Sequence, residues 1–398
     1  MTRTGQHQRC ISAIHWLEAS GTLALGAMFV TALIGTPAAQ AQTYTVLHKF
    51  KGAPTDGRYP EYGHLIGDSA GNLYGTTYSG GASGYGAVFK LDPAGTETIL
   101  YSFTGEADGG FPNAVIRDSA GNLYGTAGSG GAWNSGAVFK LDPAGTETVL
   151  YSFTGRADGA KPLAGLIRDS AGNLYGTASA GGVSEYTGVV FKLDTAGTET
   201  VLHTFTGGAD GGDPEAGLIR DSAGDLYGTT SGGGVSHEGV VFKLDATGET
   251  VLYSFTGGAD GSQPVGGLLR DSAGNLYGTT PYGGASGNGV VFKLDTTGTE
   301  TVLYSFTGGA DGSQPEAGLI QDPEGNLYGT TYYGGAPENG VVFELDTTGT
   351  ETVLYSFAGG ADGSNPYAGL IRDSAGNLYG TARFGGISGS GVVFRIQP

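Results

Sequence analysis

Apolar and polar positions alternate in short runs along most of the chain, and the runs recur. Val302, Tyr304 and Phe306 take one face of a stretch whose other face carries Leu303 and Ser305. Val290, Phe292 and Leu294 alternate in the same way with Val291 and Lys293. A period of two over five or six residues, rich in β-branched and aromatic side chains, predicts strands. Leu268-Leu269-Arg270 and Asn275-Leu276-Tyr277-Gly278-Thr279-Thr280 predict two more. Asp271-Ser272-Ala273-Gly274 and Asp295-Thr296-Thr297-Gly298 divide these runs with turn chemistry, since Asp closes an Asx turn and Gly accepts positive φ. No segment carries a convincing helical period.

The four-strand unit repeats. The tyrosine of its Asn-Leu-Tyr-Gly-Thr motif, with Asp for Asn once, falls at Tyr74, Tyr124, Tyr175, Tyr227, Tyr277, Tyr328 and Tyr379. A period of about fifty residues with four strands per unit predicts an all-β fold, a seven-bladed β-propeller of four-stranded blades. Tyr44 to Phe50 matches a fourth strand with no preceding three, and Gly391 to Ile396 a third strand with no following fourth. The N-terminal strand is therefore expected to join the last blade and close the ring. The glycine inside each second strand, such as Gly278, costs strand propensity. It is expected to admit an aromatic ring from the next blade.

Residues 1–41 have the pattern of a secretory signal. Arg3 and Arg9 precede an apolar run from Leu23 to Ile34, and Ala39 and Ala41 suit cleavage after Ala41. A single propeller domain is expected over residues 42–398, in a secreted protein of the periplasm or the extracellular space. Cys10, Met1 and Met28 all lie in the leader, so the mature chain is expected to have no disulfide and no thiolate chemistry. No second long apolar segment follows, and no membrane span is expected in the mature chain. The 398 residues include 19 basic and 38 acidic ones, a net charge of −19. That field repels nucleic acid and anionic lipid surfaces. The protein is expected to be a monomer.

Antiparallel neighbours send successive connections to alternate faces of a blade. The short turns share one face. The longer loops, Pro281 to Gly289 and Gly308 to Glu316 with their counterparts, share the other. These longer loops differ most between repeats, and variable loops on a rigid scaffold are where binding usually sits. Tyr78, Tyr85, Trp133, Tyr186, His237, Tyr282, Tyr332, Tyr333, Arg383 and Phe384 break the repeat in or beside the second-to-third-strand loops. Arg58, Tyr59, Phe111, Lys161 and Tyr367 do so in the fourth-to-first-strand loops. Aromatic side chains on an acidic rim suit carbohydrate stacking or protein contact.

Metal and acid–base chemistry finds less support. His48, His64, His203 and His237 fall in separate repeats without paired ligand spacing, so no metal and no cofactor is expected. The repeated Asp of each Asp-Gly, from Asp56 to Asp362, is expected to close an Asx turn rather than bind calcium. The arginines beside the hairpin Asp, such as Arg117 and Arg168, are expected to be ion partners between strands. Near-identical residues in seven blades are scaffold, and a single active site needs residues that occur once. The expected function is a non-enzymatic scaffold binding a protein or glycan through the loops of one face. The alternatives are multivalent glycan binding, one weak site per blade, and a propeller enzyme of the lyase or lactonase type.

The recurring unit Gly-Leu-Ile-Arg-Asp-Ser-Ala-Gly-Asn-Leu-Tyr-Gly-Thr, then Tyr-Gly-Gly, then Gly-Val-Val-Phe-Lys-Leu-Asp, then Val-Leu-Tyr-Ser-Phe resembles the GloVer (Gloeobacter/Verrucomicrobia) tandem repeats over residues 43–398. The resemblance implies a bacterial, exported protein. The Asp-x-x-Gly-Asn-Leu-Tyr hairpin is more distantly similar to NHL-type propellers, whose relatives include metal-dependent lyases and lactonases. The Gly-Gly after the second strand also resembles kelch repeats, although the paired Tyr and Trp of kelch blades are absent.

Val46, Leu47 and Phe50 would each contribute about 1.5–3 kcal/mol on full burial. That is large beside a domain stability of about 5–15 kcal/mol. Deleting Thr43 to Phe50 should therefore open the ring and lower the melting temperature. An unchanged melting temperature would show that these residues are not the missing strand.

Overall fold

The computed structural model describes residues 42–183 and 187–397. The leader expected over residues 1–41, and Tyr186, lie outside the described residues. Seven four-stranded antiparallel sheets succeed one another along the chain and form the blades of a propeller. In blade five Leu269–Arg270, Leu276–Thr280, Val290–Leu294 and Glu300–Ser305 pair in chain order. Blade seven is completed from the other end of the chain. Thr43–Lys49 pairs antiparallel with Val392–Gln397, from Thr43↔Gln397 to Lys49↔Val392. Its register slips between Val46 and His48, as the outer strand of every other blade slips at the same place. Such a bulge bends and twists the edge strand. No helix among the described residues is long and apolar enough to cross a membrane.

The glycine of the second strand answers to a ring in its own blade, which corrects the expectation of one from the next. Gly125 lies opposite Phe139 of the adjacent strand. A Cβ on Gly125 would sit 2.7 Å from Phe139 Cζ. Residues directly opposite in a sheet share a face, so the phenyl ring folds down over the bare glycine. From there it reaches the preceding blade. Phe139 meets Phe103 edge to face at 5.0 Å, and each of the other blade junctions has an equivalent pair. At the closure the pair is Phe50 and Phe89, 5.2 Å apart. All these phenylalanines are fully buried. Val46 and Leu47 are only half-buried, so Phe50 is the principal apolar anchor of the closing strand.

Polar ties run across the same junctions. The Thr126 hydroxyl donates to Ala164 O of the next blade at 2.8 Å, and Thr381 donates to Pro60 O at 2.9 Å. The residue before the repeated proline is left-handed in every blade: Phe111 has φ 56° and Tyr59 has φ 59°. That conformation costs about 1–2 kcal/mol for an L-residue. It aims the amide backwards: Phe111 N donates to Tyr85 O of the preceding blade at 2.8 Å, and Tyr59 N donates to Ser390 O at 2.8 Å across the closure. Arginines bridge junctions too, though mainly over rings rather than as the expected ion partners. Arg117 lies 5.5 Å from the Tyr74 ring centroid and Arg168 lies 5.8 Å from that of Tyr124. The hairpin Asp is satisfied locally: Asp118 accepts from Ala120 N, from Asn122 N and side chain, and from the Tyr124 hydroxyl.

On the outer strands each junction also holds a polar trio. Tyr101 donates to Asp108 at 3.0 Å, and Glu147 of the next blade lies beside that Asp. Burial first, and the Asp charge second, push the Glu147, Glu199, Glu300 and Glu351 carboxyls up to about 7 from 4.5. A carboxyl that is more basic when folded binds its proton more tightly in the native state. Its stabilising effect is complete below pH 4.5 and is lost as pH rises toward 7. The protein should therefore melt a few degrees higher at pH 5.5 than at pH 7.5. Replacing these four glutamates by glutamine should flatten that slope, and a slope unchanged by the substitutions would remove the explanation.

Candidate ligand site at the channel mouth

The first strands surround a central channel, and small residues line much of it. A cavity of about 520 Å³ opens there, walled by Ala164, Ala216, Gly267, Ala317 and Ala368 and by apolar side chains such as Ile116 and Ile320. The repeat breaks at its mouth. Immediately after the repeated proline the seven blades carry Glu61, Asn113, Leu163, Glu215, Val265, Glu316 and Tyr367. The ring geometry gathers six of these around the one cavity, together with Tyr62 and His64. Asn113 is instead buried, donating to Pro162 O at 2.6 Å and to the Thr126 hydroxyl.

The wall from blades six, seven and one is polar and aromatic. Arg383 pairs with the buried Glu61 and donates to the Tyr332 hydroxyl at 3.1 Å. Tyr62 packs between Tyr78 and Tyr367, at 5.4 and 5.1 Å between ring centroids. Tyr367 also meets the Tyr332 ring edge-on at 5.8 Å. Blades three and five contribute Leu163 and Val265, so the mouth has an apolar side. Between them stands Glu215 of blade four, whose carboxyl burial and the charges of Asp213 and Glu316 push up to about 7. Burial likewise raises Glu316, against the opposing effect of a hydrogen bond from Tyr367. Glu61 is pushed up to about 7 by burial even though Arg383 opposes the shift. His64 belongs to a one-residue insertion in blade one, and the protein around it holds its imidazole below the ordinary value.

The expected rim residues that the structure describes fall into three sets. Tyr78, Tyr332 and Arg383 pack against the mouth residues Tyr62, Tyr367 and Glu61 without lining the cavity themselves. Tyr85, Trp133, Tyr282, Tyr333 and His237 stay exposed on the rim, with Trp133 the most open of the aromatics at 65%. Phe384 packs on Tyr59 at 5.3 Å and under the Arg383 guanidinium at 4.8 Å. The sequence does not single out Glu61, Glu215, Glu316 or Tyr62, and it offers His64 only as an unpaired metal ligand. The signal available was positional: each of the three glutamates follows the proline of an otherwise uniform loop.

Removing one partner of a buried ion pair strands the other, at about 3–5 kcal/mol. Arg383→Ala should destabilise the protein by about 3 kcal/mol at pH 8. The loss should shrink at pH 6, where Glu61 takes up a proton, and Glu61→Gln in the same chain should recover part of it. Equal losses at both pH values would exclude an ionised Glu61 as the cause.

No curated protein matches the sequence. Among solved structures, virginiamycin B lyase from Staphylococcus aureus aligns at 13% identity with a TM-score of 0.59, over 90% of this chain and 99% of that one. Two extracellular domains from B. thetaiotaomicron also align. One, assigned to a one-component system, gives 10% identity and a TM-score of 0.55 over 87% of this chain and 40% of that one. The other, assigned to a hybrid two-component system, gives 13% identity and a TM-score of 0.56 over 89% and 41%. This chain thus spans about two fifths of those two proteins as crystallised, and at these identities the likeness is one of fold. The Gloeobacter/Verrucomicrobia repeat matches residues 19–233 and 214–398, and the chain accordingly belongs to the Gloeobacter/Verrucomicrobia repeat family.

Proposed function

We propose that the protein is an exported, non-enzymatic glycan-binding propeller with a single site at the channel mouth. The observation that carries this reading is the convergence of Glu61, Glu215, Glu316 and Tyr367 on one cavity of about 520 Å³. That volume suits a small ligand or the end of a larger one. Carboxylates and tyrosine hydroxyls offer acceptors and donors to sugar hydroxyls. The Tyr62 ring, with Leu163 and Val265 opposite, offers apolar surface to the C–H face of a pyranose. Because the seven equivalent positions carry five different residue types, the arrangement favours one site over seven weak ones. The leader-like pattern of residues 1–41 supports export.

A catalytic reading has one specific observation behind it. Glu215 sits in a cavity with its carboxyl at about 7, the range of a general acid or base.

A glycan panel followed by calorimetry separates these readings. One ligand should bind per chain, Glu215→Gln and Glu316→Gln should each weaken binding tenfold or more, and Trp133→Ala should leave it unchanged. Loss of binding on Trp133→Ala or Tyr282→Ala, with the glutamate variants silent, would move the site to the outer rim. Turnover of the bound saccharide, abolished by Glu215→Gln, would establish an enzyme.

A further inference from the structure

The outer junction trios are not all alike. At five junctions described above or equivalent to them, a tyrosine of the fourth strand donates to the Asp of the following loop, as Tyr151 does to Asp158 and Tyr253 to Asp260, both at 3.0 Å. At the closure His48 takes the tyrosine's place. It packs on Phe50 at 4.8 Å, as Tyr151 packs on Phe153 at 5.2 Å. An imidazole is shorter than a phenol, so it stops short of the carboxylate. His48 Nε2 lies 3.6 Å from Asp56 Oδ2, beyond a hydrogen bond. Glu97 of blade one supplies a third donor, and ligand atoms of His48, Asp56 and Glu97 lie within 4.8 Å of one another. His48 Nε2 and Glu97 Oε1 are both shielded from solvent and have no hydrogen-bond partner, a state shared by His203 Nε2 and by the equivalent Glu Oε1 at five other junctions. The closure differs in the approach of all three side chains. Asp56 is held in place by the backbone amides of Lys51 and Gly57 at 2.8 and 2.6 Å.

We propose that His48, Asp56 and Glu97 form a structural site for a zinc-like divalent cation that fastens the N-terminal strand to blade one. Two ligands on a tetrahedral zinc, each at about 2.0–2.2 Å, stand about 3.4 Å apart. The 3.6 Å between His48 and Asp56 is close to that separation. An imidazole nitrogen with two carboxylates matches zinc and its first-row neighbours, whereas calcium and magnesium prefer oxygen ligands alone. The ion would satisfy two buried atoms that otherwise lack partners. It would also offset the repulsion between Asp56 and Glu97. The site joins the strand at Thr43–Lys49 to the loop that follows it and to the first blade, so it would fix the strand that completes blade seven by pairing with Val392–Gln397. His203, Asp210 and Glu249 repeat the same residue types at another junction. Among the described residues, only the trio at the closure brings three donor atoms this close together.

The sequence expectation of no metal rested on histidines scattered through separate repeats. His48 shares a site with residues from the following loop and the next blade, which a search for paired histidines does not detect.

The test is a titration of zinc chloride into the chelator-treated protein, followed by calorimetry and thermal melting. One equivalent of zinc should bind per chain and raise the melting temperature, with EDTA reversing the rise. Magnesium and calcium should give no such rise. His48→Tyr restores the side chain found at the other junctions. It should fold, melt at or above the zinc-free parent, and lose the zinc-dependent rise. Glu97→Gln should weaken zinc binding at least tenfold, and His203→Tyr should leave it intact. The proposal is overturned if the protein binds no stoichiometric zinc, if the rise survives His48→Tyr, or if His203→Tyr is the variant that abolishes it. None of these readouts involves the channel mouth, so the result stands apart from the proposed glycan site.

Discussion

Everything in this molecule depends on one contact made seven times: the phenylalanine of an outer strand packed edge-on against the phenylalanine of the next blade's third strand. A four-stranded blade is too small to bury its own apolar face, and stacking against a neighbour is what removes that face from water. Fully burying one phenylalanine is worth about 1.5–3 kcal/mol, and an aromatic pair adds about 0.5–1.5 kcal/mol. Neither figure holds a blade alone, but seven junctions in a closed circle leave no free apolar end. The bare second-strand glycine, such as Gly125, follows from this need. It lets Phe139 lie low over its own sheet and still reach Phe103. The Thr126 hydroxyl and the left-handed amide of Phe111 then lock the angle between blades.

The circular arrangement also explains how a repetitive chain can carry an individual site. Seven equivalent positions surround one axis, and six of the seven side chains reach the same mouth. Glu61, Glu215, Glu316 and Tyr367 come from four different blades and meet at one cavity. Rigid junctions hold them there, and the Arg383–Glu61 pair with the Tyr62, Tyr78, Tyr332 and Tyr367 rings consolidates one side of the opening. The exposed rim aromatics, Trp133 above all, lack that convergence.

The fold was legible because its signals are local and multiplied. Alternation, Asp-Gly turns and a period of about fifty residues each recur seven times, and the orphan strand at Tyr44 to Phe50 announces the closure. The site was hardly legible, for the complementary reason. Glu61 and Glu316 are hundreds of residues apart, and only the closed ring makes them neighbours. The sequence drew attention to loop aromatics because aromatic side chains stand out against glycine and serine. It gave no measure of which of them pack against the mouth residues, as Tyr78 and Tyr332 do, and which stay exposed on the rim, as Trp133 and Tyr282 do. The partner of the second-strand glycine was misassigned for a related reason: register places Phe139 opposite Gly125, and register depends on the loop between those two strands rather than on composition.

The central claim is that an asymmetric mouth on a symmetric ring is where a ligand goes. Its most direct test is a crystal structure of the protein soaked with a saccharide it binds. The account predicts one sugar per chain, in contact with Tyr62, Glu215 and Glu316 above the channel. Ordered sugar along the outer rim at Trp133 and Tyr282, with the mouth holding only solvent, would contradict it.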